Sequence, residues 1–372
     1  MTDEYSTGRQ TLHEMGCDGA GAAADIHADE GLQGRAKERR PLISLILIAH
    51  NRKEYITGAF RSVLAQNIES SLFEIIVIKN FPVEIIDSWK GKPAVTAVPA
   101  PSAIKGESYS VGVRLSRGDI ICFLDDDDEF EPDKFERLLA LFSTCNGPVY
   151  YHNQRTIIDG SGRSISGRWT RPLAGSQKED LIVVSPDKVR ESTMPATFAA
   201  YFNMSSMALS RQILIDRQQE LARAPPLIDI FMICTAVAAN ATFMLDSRRL
   251  TKYRVHSNQV SYWEDGRFSG PEVDERTSVI GRHIVVQQRC IPFISGTGVE
   301  RTFVKSLPRL VLTNQLYYSS KRDYLRLVRN LYSYIRMRNA GDLPDILVMF
   351  LLSFAYSISY KLPRRVAGIV RR

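Results

Sequence analysis

The sequence predicts an α/β fold: a mostly parallel central sheet flanked by helices, followed by a C-terminal helical extension. Three observations carry that prediction. Near-continuous apolar runs recur at LISLILIAH (42–50), FEIIVIKN (73–80) and DIICFLD (119–125), the pattern of strands buried on both faces. Segments with helical spacing follow the first and third of them. Strands alternating with helices in this order favour parallel pairing.

The elements follow in chain order. Residues 1–40 are rich in Gly, Ala, Asp and Glu and poor in large apolar groups, so they are expected to form a disordered tail. Their GAGAAAD stretch is low complexity rather than a phosphate loop, because no strand precedes it. Order is expected to begin at Pro41. After the first strand Asn51 can cap a helix, whose Tyr55, Ile56, Phe60, Val63 and Leu64 share one stripe. PDKFERLLALF (132–142) is a helix with Pro132 near its first turn. Beyond Pro148, PVYYHNQRTIID reads as a strand, and a polar Gly-rich loop carries Trp169. SSMALS (205–210) is a short strand, and DIFMICTAVAA (229–239) a helix. ATFMLDSRRLTKYRVHSN (241–258) gives two short strands ending near His256. From Val299 onward the pattern is mainly helical. The expected division is a tail over 1–40, a catalytic unit over 41–265 and a basic helical region over 266–372.

Bulk numbers narrow the function classes. Of the 372 residues, 44% are hydrophobic and 24% charged, ordinary for a globular protein. Five scattered cysteines without a C-x-x-C pair argue against a disulfide framework or a zinc site, and fit a reducing compartment. No apolar segment opens the chain, so no secretory signal is expected. Residues 301–372 hold 14 Lys and Arg against three acids, a net of +11; that leaves −4 of the overall +7 for the other 300 residues. A concentrated basic region points to an anionic membrane or a nucleic acid.

CFLDDDDEF (122–130) places four aspartates just past the end of a buried strand. In open α/β sheets ligands bind outside the carboxyl ends of strands. Carboxylates crowded there can be held together by Mg²⁺ or Mn²⁺, which also binds phosphate oxygens. The alternative is a solvated acidic turn capping the next helix.

LISLILIAHNRKEYITGAFRSVLAQN, FEIIVI, GDIICFLDDDDEFEPDKFERL and LTKYRVHSNQVS, in that order, resemble glycosyltransferase family 2, the inverting nucleotide-sugar enzymes with the GT-A fold. The resemblance covers roughly residues 42–262. It implies a hexosyltransferase-type enzyme with a divalent cation and a nucleotide-sugar donor. Asp125 and Asp127 match the Asp-x-Asp motif, with Asp127 on the cation, Asp125 near the ribose, Asp126 in the variable position and Asp128 as a helper. His256 matches the histidine that reaches the metal or diphosphate in relatives, or is an ordinary loop histidine. Asp229 falls at the place of the general base, or simply favours the helix dipole. Ala49, Asn51 and Arg52 sit at the exit of the first strand, beside the nucleotide, although Arg52 also reads as a helix-surface residue.

Two departures stand out. Where the family commonly has an aspartate that accepts from uracil, this chain has Lys79 followed by Asn80. An ammonium donates and cannot accept, so Asn80 substitutes or the base differs, guanine included. Where an Arg-Asn pair is common, Tyr109 and Ser110 stand, and Lys105 or Arg114 supplies the positive charge.

The C-terminal ILVMFLLSFAYSISY (346–360) is uncharged, and as a helix spans only ~22 Å, short of a ~30 Å hydrocarbon core. Its basic flanks suit an interfacial anchor on an anionic leaflet, or a helix packed on the catalytic unit with its arginines solvated. The first reading places the protein in the cytoplasm at the inner face of the cell membrane, with a glycan or lipid-linked acceptor such as a polyprenyl phosphate. No groove-reading motif accompanies the basic residues, so no nucleic-acid partner is expected. A non-catalytic sugar-nucleotide scaffold and a nucleotidyltransferase of related fold stay open; the latter usually carries a Gly-rich loop after the first strand, which IAHNRKEYI lacks.

Overall fold

The first apolar run becomes strand β1 (Ile43–Ala49), every residue of which is buried. The computed structural model describes residues 40–50, 52–102, 105–165, 180–191, 203–224, 227–256, 263–264, 267–268 and 285–303. The N-terminal tail, Asn51, the Trp169 loop and the segment 346–360 lie outside them.

Chain order is β1, α1 (Ile56–Leu64), β2 (Phe73–Lys79), α2 (Glu84–Asp87), β3 (Ala94–Pro99), α3 (Lys105–Leu115), β4 (Ile120–Asp125), β5 (Glu129–Phe130) and α4 (Lys134–Phe142). Then come β6 (Val149–Ile158), β7 (Leu181–Val184), α5 (Pro186–Glu191), β8 (Met207–Ser210), α6 (Arg211–Ile215), α7 (Gln218–Ala222), α8 (Ile228–Ala238) and β9 (Thr242–Arg254). The main sheet runs β3-β2-β1-β4-β8-β6-β9-β5, with β7 also on β9. Its first four strands are parallel. β8 is antiparallel to both β4 and β6, β6 and β9 are parallel, and β5 and β7 pair antiparallel with β9.

Alternation along the strands sorts the core into two layers. Leu45 and Leu47 of β1, with Cys122 and Leu124 of β4, face the helices α1 and α4 through Ile56, Phe60, Phe135 and Leu138. Ile46 and Ile48, with Ile121 and Phe123, face α3, α6 and α8 through Tyr109, Val113, Leu214 and Phe231. Each such side chain, fully buried, stabilises the fold by roughly 1.5–3 kcal/mol. The second layer also takes in Val286, Cys290, Val299 and Phe303, so the described part of the C-terminal region packs on the same core.

Strand order reverses between β1 and β4. The chain leaves β1 towards β2 and β3, then returns to lay β4 on β1's other side. That switch point opens a crevice at the carboxyl ends of β1 and β4, where ligands bind in open α/β sheets.

Several elements differ from the sequence expectations. Helix α1 starts at Ile56 with Tyr55 as its N-cap, five residues after Asn51. ATFMLDSRRLTKYRVHSN holds one long strand, β9, in place of two; its polar DSRR stretch is where the register with β6 slips, between Asn153↔Asp246 and Gln154↔Arg249. The first two residues of SSMALS end a 3₁₀ turn (Met204–Ser206), and the other four form the strand. The edge strand β3 and the helix α3 carry little apolar signal. α3 lies close to its neighbours through glycines instead: a Cβ on Gly106 would lie 2.4 Å from the Leu221 carbonyl, and one on Gly112 would lie 2.6 Å from Ile46.

Candidate active site

β4 ends in the acidic run. Because Ile121 and Phe123 point into the α3/α8 layer, Asp125 continues on that face. There the Tyr109 hydroxyl donates to its Oδ1 at 3.4 Å. The chain then turns, and Asp126, Asp127 and Asp128 are all buried. Oxygens of Asp125, Asp127 and Asp128 lie within 4.8 Å of one another. At an effective dielectric of about 20, two unit charges at that separation repel by about 3 kcal/mol. An acidic turn that merely caps the next helix has no reason to accept such crowding.

The surrounding residues show how the crowding is held. Arg52, from the exit of β1, pairs with both Asp126 and Asp127. His256 Nε2 lies 3.1 Å from Asp127 Oδ2. The His50 N–H donates to Asp126 Oδ2 at 3.1 Å, and the Arg254 N–H to Asp128 Oδ1 at 3.0 Å. Arg254 is itself buried; its Nε donates to the Asp127 carbonyl at 2.9 Å and its guanidinium pairs with Glu129. From beneath, Lys134 Nζ donates to the Ser205 carbonyl at 2.6 Å and to Thr251 Oγ1 at 3.1 Å, while Ser205 Oγ accepts the Asp125 N–H at 3.1 Å. Removing Lys134 from water lowers its pKa to about 8.

The carboxylates do not titrate alike. Burial pushes Asp128 well up, reinforced by the charges of Asp127 and Asp125. Burial also raises Asp125, opposed by the charge of Lys105, and raises Asp126 to about 7, opposed by Arg52. Asp127 goes the other way: burial still pushes it up, but His256 and Arg52 together hold it below the usual carboxylate range. It is the run's most firmly ionised member. The donor set is hard oxygen at close quarters, the chemistry that suits Mg²⁺ or Mn²⁺.

Asp229 occupies the first turn of α8, with its Oδ1 accepting the Ile230 N–H at 2.9 Å. Burial raises its pKa to about 6; Asp125 adds to the rise, and the Ile230 N–H and Lys105 oppose it. Lys105, the first residue of α3, thus bears electrostatically on both Asp125 and Asp229.

The other sequence candidates fall as follows. Ala49 ends β1 with its side chain in the core, so it offers the crevice only backbone; its carbonyl accepts the Asn80 N–H at 3.3 Å. Arg52 is not a helix-surface residue, since it lies before α1 and is spent on the acidic run. Arg114 is exposed. Lys79 and Asn80 line a separate cavity at the ends of β2 and β3. His256 touches Asp127 rather than joining the carboxylate trio, which Asp128 completes. Sequence reasoning missed Arg254, Ser205 and Lys134. Arg254 sits two residues before His256 in the motif already quoted, and that proximity was the available signal.

This sheet, with clustered carboxylates on the rim at its switch point, defines a GT-A fold. Residues 44–196 match the family model for glycosyl transferase family 2. An uncharacterized glycosyltransferase of Haemophilus influenzae is 33% identical over 124 residues, 32% of this chain and 42% of that protein. The chondroitin synthase of Escherichia coli is 26% identical over 154 residues, 40% of this chain and 22% of that protein. The matches thus span less than half the length of either relative. Among solved structures, S. aureus TarS 1–349 in complex with UDP-GlcNAc shares the fold, with TM-score 0.51 and 12% identity over 88% of this chain and 83% of that one.

Proposed function

We propose that the protein is a metal-dependent inverting glycosyltransferase, moving a sugar from a nucleoside-diphosphate donor to a hydroxyl or phosphate acceptor. The observation that carries this reading is the carboxylate trio at the switch-point rim, with the half-buried Asp229 electrostatically linked to Asp125. Asp125, Asp127 and Asp128 would hold a divalent cation, Mg²⁺ or Mn²⁺, which supplies charge stabilisation for the departing diphosphate. Asp229 takes the proton from the acceptor oxygen as it attacks; a hydroxyl is a poor nucleophile without such a base. Lys105 and Arg52 place positive charge around the acids, where an anionic donor must bind. One base and one displacement invert the anomeric centre.

The test is release of nucleoside diphosphate from a panel of nucleotide sugars, offered with Mn²⁺ and candidate acceptors. Chelation by EDTA is expected to stop release and added Mn²⁺ or Mg²⁺ to restore it. Release that ignores EDTA would remove the metal from the reading.

The acceptor is proposed to be lipid-linked, presented at an anionic leaflet. Support comes from the uncharged 346–360 stretch between basic flanks, outside the described residues. Among the described residues no helix is long and apolar enough to cross a membrane. Full-length protein is expected to float with vesicles containing phosphatidylserine, and protein lacking residues 343–372 to stay at the bottom of the gradient. Equal flotation of the two sinks the idea.

A further inference from the structure

The carboxyl ends of β2 and β3 line an open, shallow pocket of about 530 Å³, within the ~300–1,000 Å³ of small-molecule sites. Its walls are largely apolar, with Phe81, Val98 and Pro99 among them; Lys79, Asn80 and Asp87 supply the polar groups. Its place relative to the acidic rim follows from strand register. Lys79 pairs with Ala49 across β2 and β1, and Asp125 pairs with Ile48 across β4 and β1. Neighbouring strands lie ~4.8 Å apart, so Lys79 and Asp125 are separated by two strand spacings, ~10 Å along one rim. A ribose bridges such a gap between a diphosphate at the acids and a flat heterocycle in the cavity.

The polar wall is an ion pair fixed by backbone. Lys79 Nζ donates to the Phe81 carbonyl at 3.1 Å and lies 2.9 Å from Asp87 Oδ1 and 3.1 Å from Oδ2. Asp87 Oδ2 also accepts the Val83 N–H at 2.9 Å. The Asp87 side chain is 39% exposed and that of Lys79 only 12%, so the carboxylate is the more open partner. Phe81 and Val83 sit on the turn after β2, which holds both groups in register. Two acceptor oxygens therefore stand side by side with an ammonium next to them.

We propose that the Lys79–Asp87 pair on this pocket selects guanine as the base of the nucleotide donor. The inference rests on the transferase reading above. The complement of a carboxylate flanked by an ammonium is an edge with two adjacent N–H donors and then an acceptor. Guanine presents that edge through N1–H, the N2 amino group and O6. When the base enters, Lys79 turns to O6, the Val83 N–H stays on Oδ2, and each carboxylate oxygen keeps a lone pair for the base. Uracil has a single N–H between two carbonyls, so one carboxylate oxygen would face a carbonyl oxygen. Cytosine and adenine set one amino group beside a ring-nitrogen acceptor, which meets the same repulsion. A well-made bidentate pairing discriminates between bases by roughly 10- to 100-fold.

Calorimetric titration of the full chain in Mn²⁺ with GDP, UDP, CDP and ADP tests this. GDP is expected to bind roughly 10- to 100-fold more tightly than the other three. Asp87→Asn, which replaces one acceptor with a donor, is expected to bring GDP down to their level and leave theirs unchanged. UDP, CDP or ADP binding as tightly as GDP overturns the base assignment and leaves the transferase reading standing. A GDP preference that survives Asp87→Asn overturns the role of the ion pair. Failure of all four nucleotides to bind overturns both readings together.

Discussion

Asp127→Ala is expected to lower sugar transfer by about 1,000-fold, a loss of about 4 kcal/mol of transition-state stabilisation, while the far-UV circular dichroism stays unchanged. The side chain is buried among other acids and away from both core layers, so its loss opens no hole in the apolar packing. It removes one of three oxygen donors that converge within 4.8 Å, and it removes the member most firmly ionised through His256 and Arg52. Its lowered pKa means that pairing with His256 and Arg52 outweighs repulsion from Asp125 and Asp128, so its loss should lower the melting temperature modestly without unfolding the chain. Transfer within tenfold of wild type would move the cation elsewhere.

Asp229→Asn is expected to cost about 100- to 10,000-fold, the range of a positioned general base. The pH dependence separates this role from a helix-end role. Burial raises the Asp229 pKa to about 6, with Asp125 adding to the rise. A base must be deprotonated to act, so in the wild type kcat/KM should fall tenfold per pH unit below about 6 and flatten above it. Asparagine cannot titrate, so the residual activity of the variant should lack that limb. A helix-dipole role predicts a modest loss of stability, no large loss of rate and an unchanged pH profile. Recording both profiles with one donor settles which holds.

The sheet's first half was legible in the sequence because its strands are buried on both faces and read as unbroken apolar runs. Ile43–Ala49, Phe73–Lys79 and Ile120–Asp125 all lie within the stretches the sequence marks. What was not legible has physical reasons. Helix α3 is built on Gly and Ser because it hugs α7 and β1, so it shows almost no apolar stripe. Strand β3 lies at the sheet edge with mostly exposed residues. In the site, the acidic run announces itself because four adjacent carboxylates are rarely tolerated without use. Its supports do not. Lys134 reads as a surface lysine of an amphipathic helix, and Ser205 as any serine; only folding shows that they meet beneath Asp125. The cavity ion pair was half visible: Lys79 stood out, but Asp87, eight residues on, gave no sign that it would return to it.

The switch-point crevice draws its members from far apart in the chain. Arg52 meets Asp127 across 75 residues, Lys134 meets Thr251 across 117, and His256 meets Asp127 across 129. The matched family segment ends at residue 196, so Asp229, Arg254 and His256 all arrive from beyond it. Contacts of such sequence separation repay their loop-closure entropy only when most of the sheet is in place, and chains dominated by them fold slowly. During synthesis the acidic turn emerges well before Arg254 and His256, and it is left meanwhile with its negative charges incompletely matched. The rim is therefore finished by the last long strand in chain order, and a complete site requires β9 to have docked.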